Sequence, residues 1–282
     1  FFLPVGFFLP VGFFLPAGFF LSSAVPLSPD EIIADCRLCA DLGATILHIH
    51  ARDEDGRPTF RKDIYGRIIA GIRETHPDVI ICVSLSGRNF PEFEQRSDPL
   101  LLTGDLRPDM ASLTLSSLNF SRTESINAPD MVVRLAKTME ERGIRPELEV
   151  FDAGMVNYAR YLADRGILKP PFYFNLLLGN LSSAQVTPLH LAAITQDLPP
   201  ESVWCAGGIG ESQLAANTLG LLFGNGVRTG LEDFLWLDAD RTQPATNEKL
   251  VSRVSELCTL LGKRFASASQ VRAALGMTPH AG

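Results

Sequence analysis

Ala44-Thr45-Ile46-Leu47-His48-Ile49-His50-Ala51-Arg52-Asp53 is the stretch on which the reading of this chain turns. It is an apolar, strand-like run that closes on two histidines one residue apart. Side chains at i and i+2 of a strand leave the same face, so His48 and His50 project together and can grip one divalent metal. An isolated His-x-His pair can equally be two hydrogen-bonded core histidines. Here Thr45 is the only other polar residue from Ala44 to His50, and a carboxylate stands at a comparable strand end far downstream.

A chain of 282 residues with 46% hydrophobic residues is long enough for one large α/β domain, and barrels of about 250 residues fold as single units. The formal net charge of −7, with no Lys/Arg run, argues against nucleic acid or an anionic membrane surface as partner. Five cysteines, Cys36, Cys39, Cys82, Cys205 and Cys258, lie scattered in apolar segments, a usage that suits a reducing cytoplasm. Cys36 and Cys39 have half of a zinc-knuckle spacing but fall in a helical pattern with no second pair, so two packed thiols are expected.

Residues 1–20 stand apart. Phe1-Phe2-Leu3-Pro4-Val5-Gly6 recurs at 7–12 and, with Ala17 in place of Val, at 13–18. A proline and a glycine in every repeat forbid a membrane helix, and no basic segment or cleavage site supports a signal peptide. Residues 1–20 are therefore set aside as low-complexity sequence of uncertain origin, and residues 21–282 are taken as the catalytic domain.

From there strand, helix and glycine alternate. Phe19-Phe20-Leu21 is assigned to a short, degenerate first strand. Ser28-Pro29-Asp30-Glu31 reads as a capping box that opens a helix to about Leu42, and the histidine strand follows. Further strands are expected at 79–84, 110–115, 148–152, 172–178, 203–208 and 226–233, with helices near 62–75, 90–102, 129–142, 155–165, 186–195, 212–223 and 247–261. Near-continuous apolar strands between amphipathic helices indicate a parallel sheet under helices. Eight such units imply a (β/α)8 TIM barrel of one domain; a doubly wound open sheet is the alternative. No dinucleotide or P-loop glycine fingerprint stands at a strand-to-helix turn.

In a barrel the polar residues at the C-terminal strand ends converge on one mouth. Those ends carry His48 and His50, Ser84, Thr114, Glu149 and Asp152, Asn175, Gly207 and Gly208, and Glu232 and Asp233. The last strand neighbours the first across the closure, and the histidine strand lies next beyond. Glu232 is thus placed to join His48 and His50, and two imidazoles plus one carboxylate with an open fourth position is a catalytic zinc pattern. Gly207-Gly208-Ile209-Gly210 lies where barrels often hold phosphate on backbone N–H groups. Gly207, Gly208 and Gly210 are accordingly expected to line a phosphate site. His76, His190 and His280 receive no role.

His48-Ile49-His50-Ala51-Arg52-Asp53-Glu54-Asp55-Gly56-Arg57-Pro58-Thr59, Asp109-Met110-Ala111-Ser112-Leu113-Thr114, Pro146-Glu147-Leu148-Glu149-Val150-Phe151-Asp152, Gly207-Gly208-Ile209-Gly210 and Gly226-Val227-Arg228-Thr229-Gly230-Leu231-Glu232-Asp233 occur in this order. Together they resemble the β-keto acid cleavage enzymes, of which 3-keto-5-aminohexanoate cleavage enzyme is the best-known type; the likeness runs from about Pro26 to Met277. The resemblance implies a zinc-dependent (β/α)8 transferase that takes a 3-keto acid and acetyl-CoA to acetoacetate and a new CoA ester by a retro-Claisen route. It implies one Zn2+ on His48, His50 and Glu232, with Asp233 as general base and Arg228 as its positioning partner. Ser84 and Thr114 would contact the substrate or the reacting acyl group, and the phosphate site of Gly207, Gly208 and Gly210 would take the CoA pyrophosphate. Glu149 is a further candidate, with Glu147 competing for the role in the same motif. A cytoplasmic homotetramer acting on small molecules is expected. The types suit the chemistry: zinc polarises a carbonyl, and a carboxylate can then take the adjacent proton near neutral pH.

One departure bears on specificity. Amine-accepting members carry an acidic residue near the end of the first strand, whereas no acid precedes Asp30 here. Arg88 adds a cation near the expected mouth, so the substrate side chain is expected to be neutral or anionic. The competing readings are a barrel zinc hydrolase, which needs further histidines on later strands that this chain lacks, and a relative that binds metal or CoA without turnover.

Overall fold

The computed structural model describes residues 24–278 in full and residues 3–8 as backbone. The strand Leu3–Phe8 (β1) comes from the repeat tract that the sequence reading sets aside. Phe19-Phe20-Leu21, to which that reading assigns the first strand, and His280 lie outside the described residues. Helix α1, Pro29–Asp41, starts on a full capping box: Ser28 Oγ accepts from the Glu31 N–H while the Glu31 carboxylate accepts from the Ser28 N–H. It ends at Gly43, whose φ of +100° places a would-be Cβ 2.7 Å from the Phe265 ring. Only glycine meets both conditions.

There follow β2 (Ile46–Ile49), α2 (Lys62–Thr75), β3 (Ile80–Val83), α3 (Phe93–Ser97) and β4 (Met110–Thr114). A short hairpin of β5 (Leu118–Asn119) and β6 (Glu124–Ser125) comes next. The alternation then resumes with α4 (Pro129–Glu141), β7 (Arg145–Val150), α5 (Ala153–Asp164), β8 (Phe172–Leu178), α6 (Pro188–Thr195), β9 (Ser202–Gly208), α7 (Gln213–Phe223), β10 (Gly226–Gly230) and α8 (Asn247–Leu260). A final helix, α9 (Ala268–Ala274), is capped by Ser267 and Gln270. The sequence pattern anticipates neither the hairpin nor α9. The hairpin strands are two residues each, and α9 is too short to display a helical period.

Seven strands form one curled parallel sheet in the order β2-β3-β4-β7-β8-β9-β10. The backbone of β1 runs beside both of its edges, pairing parallel with β10 and with β2. The seven strands of this sheet are buried on both faces over most of their length. Leu47, Ile49, Ile81, Val83, Ala111, Leu113, Leu148 and Val150 pack outward into one core with Ile32, Cys36 and Ile69 of the helices. Residues of the other parity, Ile46, Ile80, Cys82, Met110, Tyr173 and Cys205, pack inward against Ala266 and with Val271 and Leu275 from α9 and its cap. α9 therefore plugs the end at which the strands begin, and side chains further along the inner face turn polar. Cys36 and Cys39 are buried free thiols in α1, as their helical setting predicts. Among the described residues no helix is long and apolar enough to cross a membrane.

Asn247, the first residue of α8, links distant parts of the chain: its Oδ1 accepts from the Leu231 N–H at 2.9 Å and its Nδ2 donates to Asp35 of α1 at 2.8 Å. Burial pushes the Asp35 carboxyl up to about 6, with Glu248 adding to the rise and Asn247 opposing it. A folded-state value above the unfolded one means that ionising Asp35 opposes folding: the penalty is full above about pH 6 and fades as pH falls toward 4. Asp35→Asn keeps an acceptor for Asn247. It is expected to stabilise the fold by roughly 1–3 kcal/mol at pH 7.5 and by little at pH 4, measured by urea unfolding of both proteins at the two pH values. An equal difference at both would show that the carboxylate is not the cause.

Candidate functional site

His48 is the third residue of β2 and His50 follows the strand's end, so the period of two brings both rings to the inner face. Their Nε2 atoms lie 3.3 Å apart. Glu232, just past β10, sets Oε2 3.3 Å from His50 Nε2. Ligand atoms of His48, His50 and Glu232 all lie within 4.8 Å of one another, as a shared cation requires. Burial lowers His50 and favours its neutral form, the form that ligates a metal. Burial alone would raise Glu232, but His50 and the Arg228 guanidinium facing it outweigh that and hold the carboxylate well below its usual range.

Beneath the pair lies a layer that the sequence reading does not resolve. Glu147, fully buried on β7, places Oε2 2.5 Å from His48 Nδ1. Asn175 Nδ2 donates to its other oxygen at 2.5 Å, and the Cys82 thiol donates to Oε2 at 3.4 Å. Burial would raise Glu147, yet His48 and the charge of Arg228 more than offset it, so the carboxylate stays ionised. An acceptor on Nδ1 fixes the proton there and leaves Nε2 as the ligating nitrogen. His48, Cys82 and Glu147 also lie close enough to hold an ion, but the direct contact of Glu147 with the ring fills that space.

Glu147 and Glu149 are two apart on β7 and both face inward; height along the strand separates them. Glu149 sits at the mouth, where Oε2 accepts from Thr114 Oγ1 at 2.6 Å and Oε1 from Arg228 Nη1 at 2.9 Å. Arg228, only 2% exposed, also donates to Glu232 Oε2 at 3.0 Å and to Asp233 Oδ2 at 3.4 Å. Burial works against this cation, and the carboxylates of Asp233, Glu232 and Glu149 overcome it and strengthen the guanidinium's hold on its proton. Burial pushes Asp233 up to about 7; Glu232 and Glu149 add to the rise and Arg228 opposes it. Arg88 Nη2 donates to Glu232 Oε1 at 3.1 Å while its guanidinium lies over the Phe120 ring.

These groups border a cavity of about 480 Å3 at the ends of the strands. His50, Ser84, Thr114, Glu149, Arg228, Glu232, Asp233 and Gly210 all line it, with His48 directly below His50. Gly207 and Gly208 do not. A Cβ on Gly208 would come 2.4 Å from the Ser212 backbone, and one on Gly207 would crowd Arg228 and Leu177. Both are glycines because chain segments touch there, which corrects the expectation that all three glycines face a ligand. The Gly210 N–H is itself taken by the Asp233 carbonyl at 2.8 Å. The sequence reading also misses Phe120 and Arg122, which the β5–β6 hairpin carries to the rim, and Arg241. Arg241 has a φ of +59°, uncommon for a residue with a side chain.

The model of the family described as beta-keto acid cleavage enzyme matches residues 21–277. The chain belongs to the β-keto acid cleavage enzymes. Within this family it is 32% identical over 256 residues to a 3-keto-5-aminohexanoate cleavage enzyme of Acetoanaerobium sticklandii, covering 90% of this chain and 92% of that one. It is 35% identical over 257 residues to a 3-oxoadipate:acetyl-CoA acetyltransferase of Cupriavidus necator, covering 90% and 88%. Among solved structures the apo form of ObcA superposes with a TM-score of 0.79 at 23% identity, over 90% of this chain and 66% of that one. The last likeness concerns the fold, and this chain spans about two thirds of that protein's length.

In this β-keto acid cleavage enzyme the Glu147 contact would orient the His48 ring toward a metal held by the cluster. Glu147→Gln is expected to weaken the apparent affinity for a zinc probe by about 10- to 100-fold, measured by competition with a chromogenic chelator, while Cys82→Ala changes it little. Unaltered affinity in Glu147→Gln would show that the contact does not orient the ring.

Proposed function

We propose that this chain is a zinc-dependent β-keto acid cleavage enzyme that joins a 3-keto acid to acetyl-CoA and releases acetoacetate and a new acyl-CoA. In this retro-Claisen exchange the keto acid's α-carbon, having lost a proton, bonds to the acetyl carbon as the acetyl–sulfur bond breaks; the CoA thiolate set free then bonds to the substrate's β-carbon as the bond between the α- and β-carbons breaks, and the proton returns to the α-carbon. The observation that carries the reading is the convergence of His48, His50 and Glu232 beside Asp233 at the floor of one cavity. The donor set fits zinc: two imidazole nitrogens and a carboxylate, with His50 and Glu232 bordering open space, match a catalytic rather than a four-ligand structural site. When bound, the ion would supply Lewis-acid polarisation of the substrate's carbonyl.

The remaining work falls to the side chains that border the cavity. Asp233 takes the α-proton on a carboxylate oxygen, and its rise toward neutrality brings its basicity close to working pH. Arg228, on Asp233 Oδ2 through Nε, keeps that carboxylate aimed. Glu149 accepts from Thr114 Oγ1 and so fixes the hydroxyl's direction; Thr114 and Ser84 meet the substrate or acyl group. Arg122 and Arg241 at the rim, beside Gly210, receive the phosphate end of CoA, while Gly207 and Gly208 act by packing.

The keto acid is read as one with a neutral or anionic side chain. No acid precedes Asp30, and Arg88 stands beside the metal cluster; the likeness to a 3-oxoadipate enzyme favours a dicarboxylate. The sheet is read as a complete eight-stranded barrel, residues 21–282 forming the catalytic domain together with β1, which straddles the first and second copies of the repeat. The setting is read as cytoplasmic, in keeping with five free buried thiols. A homotetramer is supported by outward apolar side chains such as Leu189, Phe223 and Leu260.

Purified protein should contain one zinc per chain, lose acetoacetate formation on chelation and regain it with zinc. Asp233→Asn should lower kcat by about 10²- to 10⁴-fold with zinc content intact. Uncharged or dicarboxylic 3-keto acids should be turned over faster than 3-keto-5-aminohexanoate, and Arg88→Ala should narrow that gap. Turnover that survives complete metal removal sinks the zinc reading; a clear preference for the amine sinks the substrate reading.

A further inference from the structure

The end of the sheet opposite the metal cluster holds a second cavity, of about 420 Å3. It lies where β4, β7 and β8 begin, beside the plug formed by α9. Four cationic side chains from four segments border it: Arg107 ahead of β4, Arg145 at the start of β7, Lys169 ahead of β8 and Arg272 of α9.

The two carboxylates there, Asp109 and Glu140, are already engaged. Asp109 accepts from Arg272 at 2.8 Å, from Arg73 at 3.1 Å and from the Ile81 N–H at 2.9 Å. Glu140 pairs with Lys169. Arg107 and Arg145 meet only carbonyl oxygens: Arg107 Nη1 lies 3.5 Å from the Arg142 carbonyl, and Arg145 Nη1 donates to the Lys169 and Pro171 carbonyls at 3.2 and 3.1 Å. Neither makes an ion pair among the described residues.

Both guanidiniums also face backbone without a side chain. A Cβ on Gly143 would stand 3.3 Å from Arg107 Nη1, and one on Gly276 would stand 3.6 Å from Arg145 Nη2. In a chain of net charge −7 the overall field does not draw anions to this end, so the excess of cations is local. A partly buried guanidinium with unmet donors is costly, and burial weakens Arg145's hold on its proton. A bound oxyanion would reverse both effects, because the guanidinium fork matches phosphate and carboxylate edges.

We propose that this cavity binds a small oxyanion bearing two or more negative charges, held by Arg107 and Arg145 with Lys169 at its edge. Occupancy would tie the starts of β4, β7 and β8 to the α9 plug, far from the reaction and independent of the metal.

The test is calorimetric titration of the full-length protein with inorganic pyrophosphate, and separately with citrate. Pyrophosphate should bind, and Arg107→Gln or Arg145→Gln should weaken it about tenfold or more without altering turnover or the circular dichroism spectrum. Arg241→Ala, at the opposite mouth, should leave that binding in place. Citrate behaving alike in the same variants identifies a site for carboxylate as well as phosphate anions; citrate that does not bind identifies a phosphate site. Absence of pyrophosphate binding, or binding unchanged in both Arg107→Gln and Arg145→Gln, overturns the proposal. Should Arg145→Gln fail to fold, the half-exposed Arg107 decides alone.

Discussion

The mouth of this protein depends on one buried cation. Arg228 lies on β10 with its guanidinium in contact with Glu149, Glu232 and Asp233. A guanidinium cannot be left unpaired at that depth, and three carboxylates packed together cannot all stay ionised without it. Each makes the other tolerable. Removing the cation would drive protons onto the carboxylates, and removing one carboxylate would leave the rest better balanced. The cluster is held by the strands beneath it, because β7 and β10 each present their acidic or basic residue at the same height on the inner face.

That height is the organising variable of the interior. Along the inner face, an apolar layer of Ile46, Ile80, Met110, Tyr173 and Cys205 lies nearest the plug. A layer around Glu147, His48 and Asn175 comes next, joined by hydrogen bonds. The mouth layer of Glu149, Thr114, Arg228 and Glu232 comes last. Two-residue steps along parallel strands move from one layer to the next. The middle layer is buried and joined by hydrogen bonds, which holds the lower histidine in one tautomer. The upper layer borders open space, where a ligand can reach it.

Much of this was legible from residue order. The capping box at Ser28, the apolar runs from Ile46 onward and the two-residue spacing of His48 and His50 are local signals with local causes, and each appears where its pattern implies. The pairing of these histidines with Glu232 required the further premise that the last strand returns beside the first. Other features had no local signature. The roles of Glu147 and Glu149 are indistinguishable in Glu-Leu-Glu, since both face inward and only their depth differs. Gly207 and Gly208 resemble a phosphate turn until the close approach of the Ser212 backbone is seen. The hairpin that brings Phe120 and Arg122 to the rim is too short for any periodicity to announce.

By itself the sequence determined the alternation of strands and helices, the faces they bury, the order of the family's motifs and the residue types available at the mouth. Those follow from hydrophobic period, capping chemistry and glycine placement, which act over a few residues. Tertiary structure decided which carboxylate orients a histidine, which share an arginine and which glycines serve packing. It also brought Arg107, Arg145, Lys169 and Arg272 to one cavity at the other end. Electrostatic partnership depends on distance and burial in three dimensions, and residues up to 165 positions apart in the chain, as Arg107 and Arg272 are, carry no mark of it in their order.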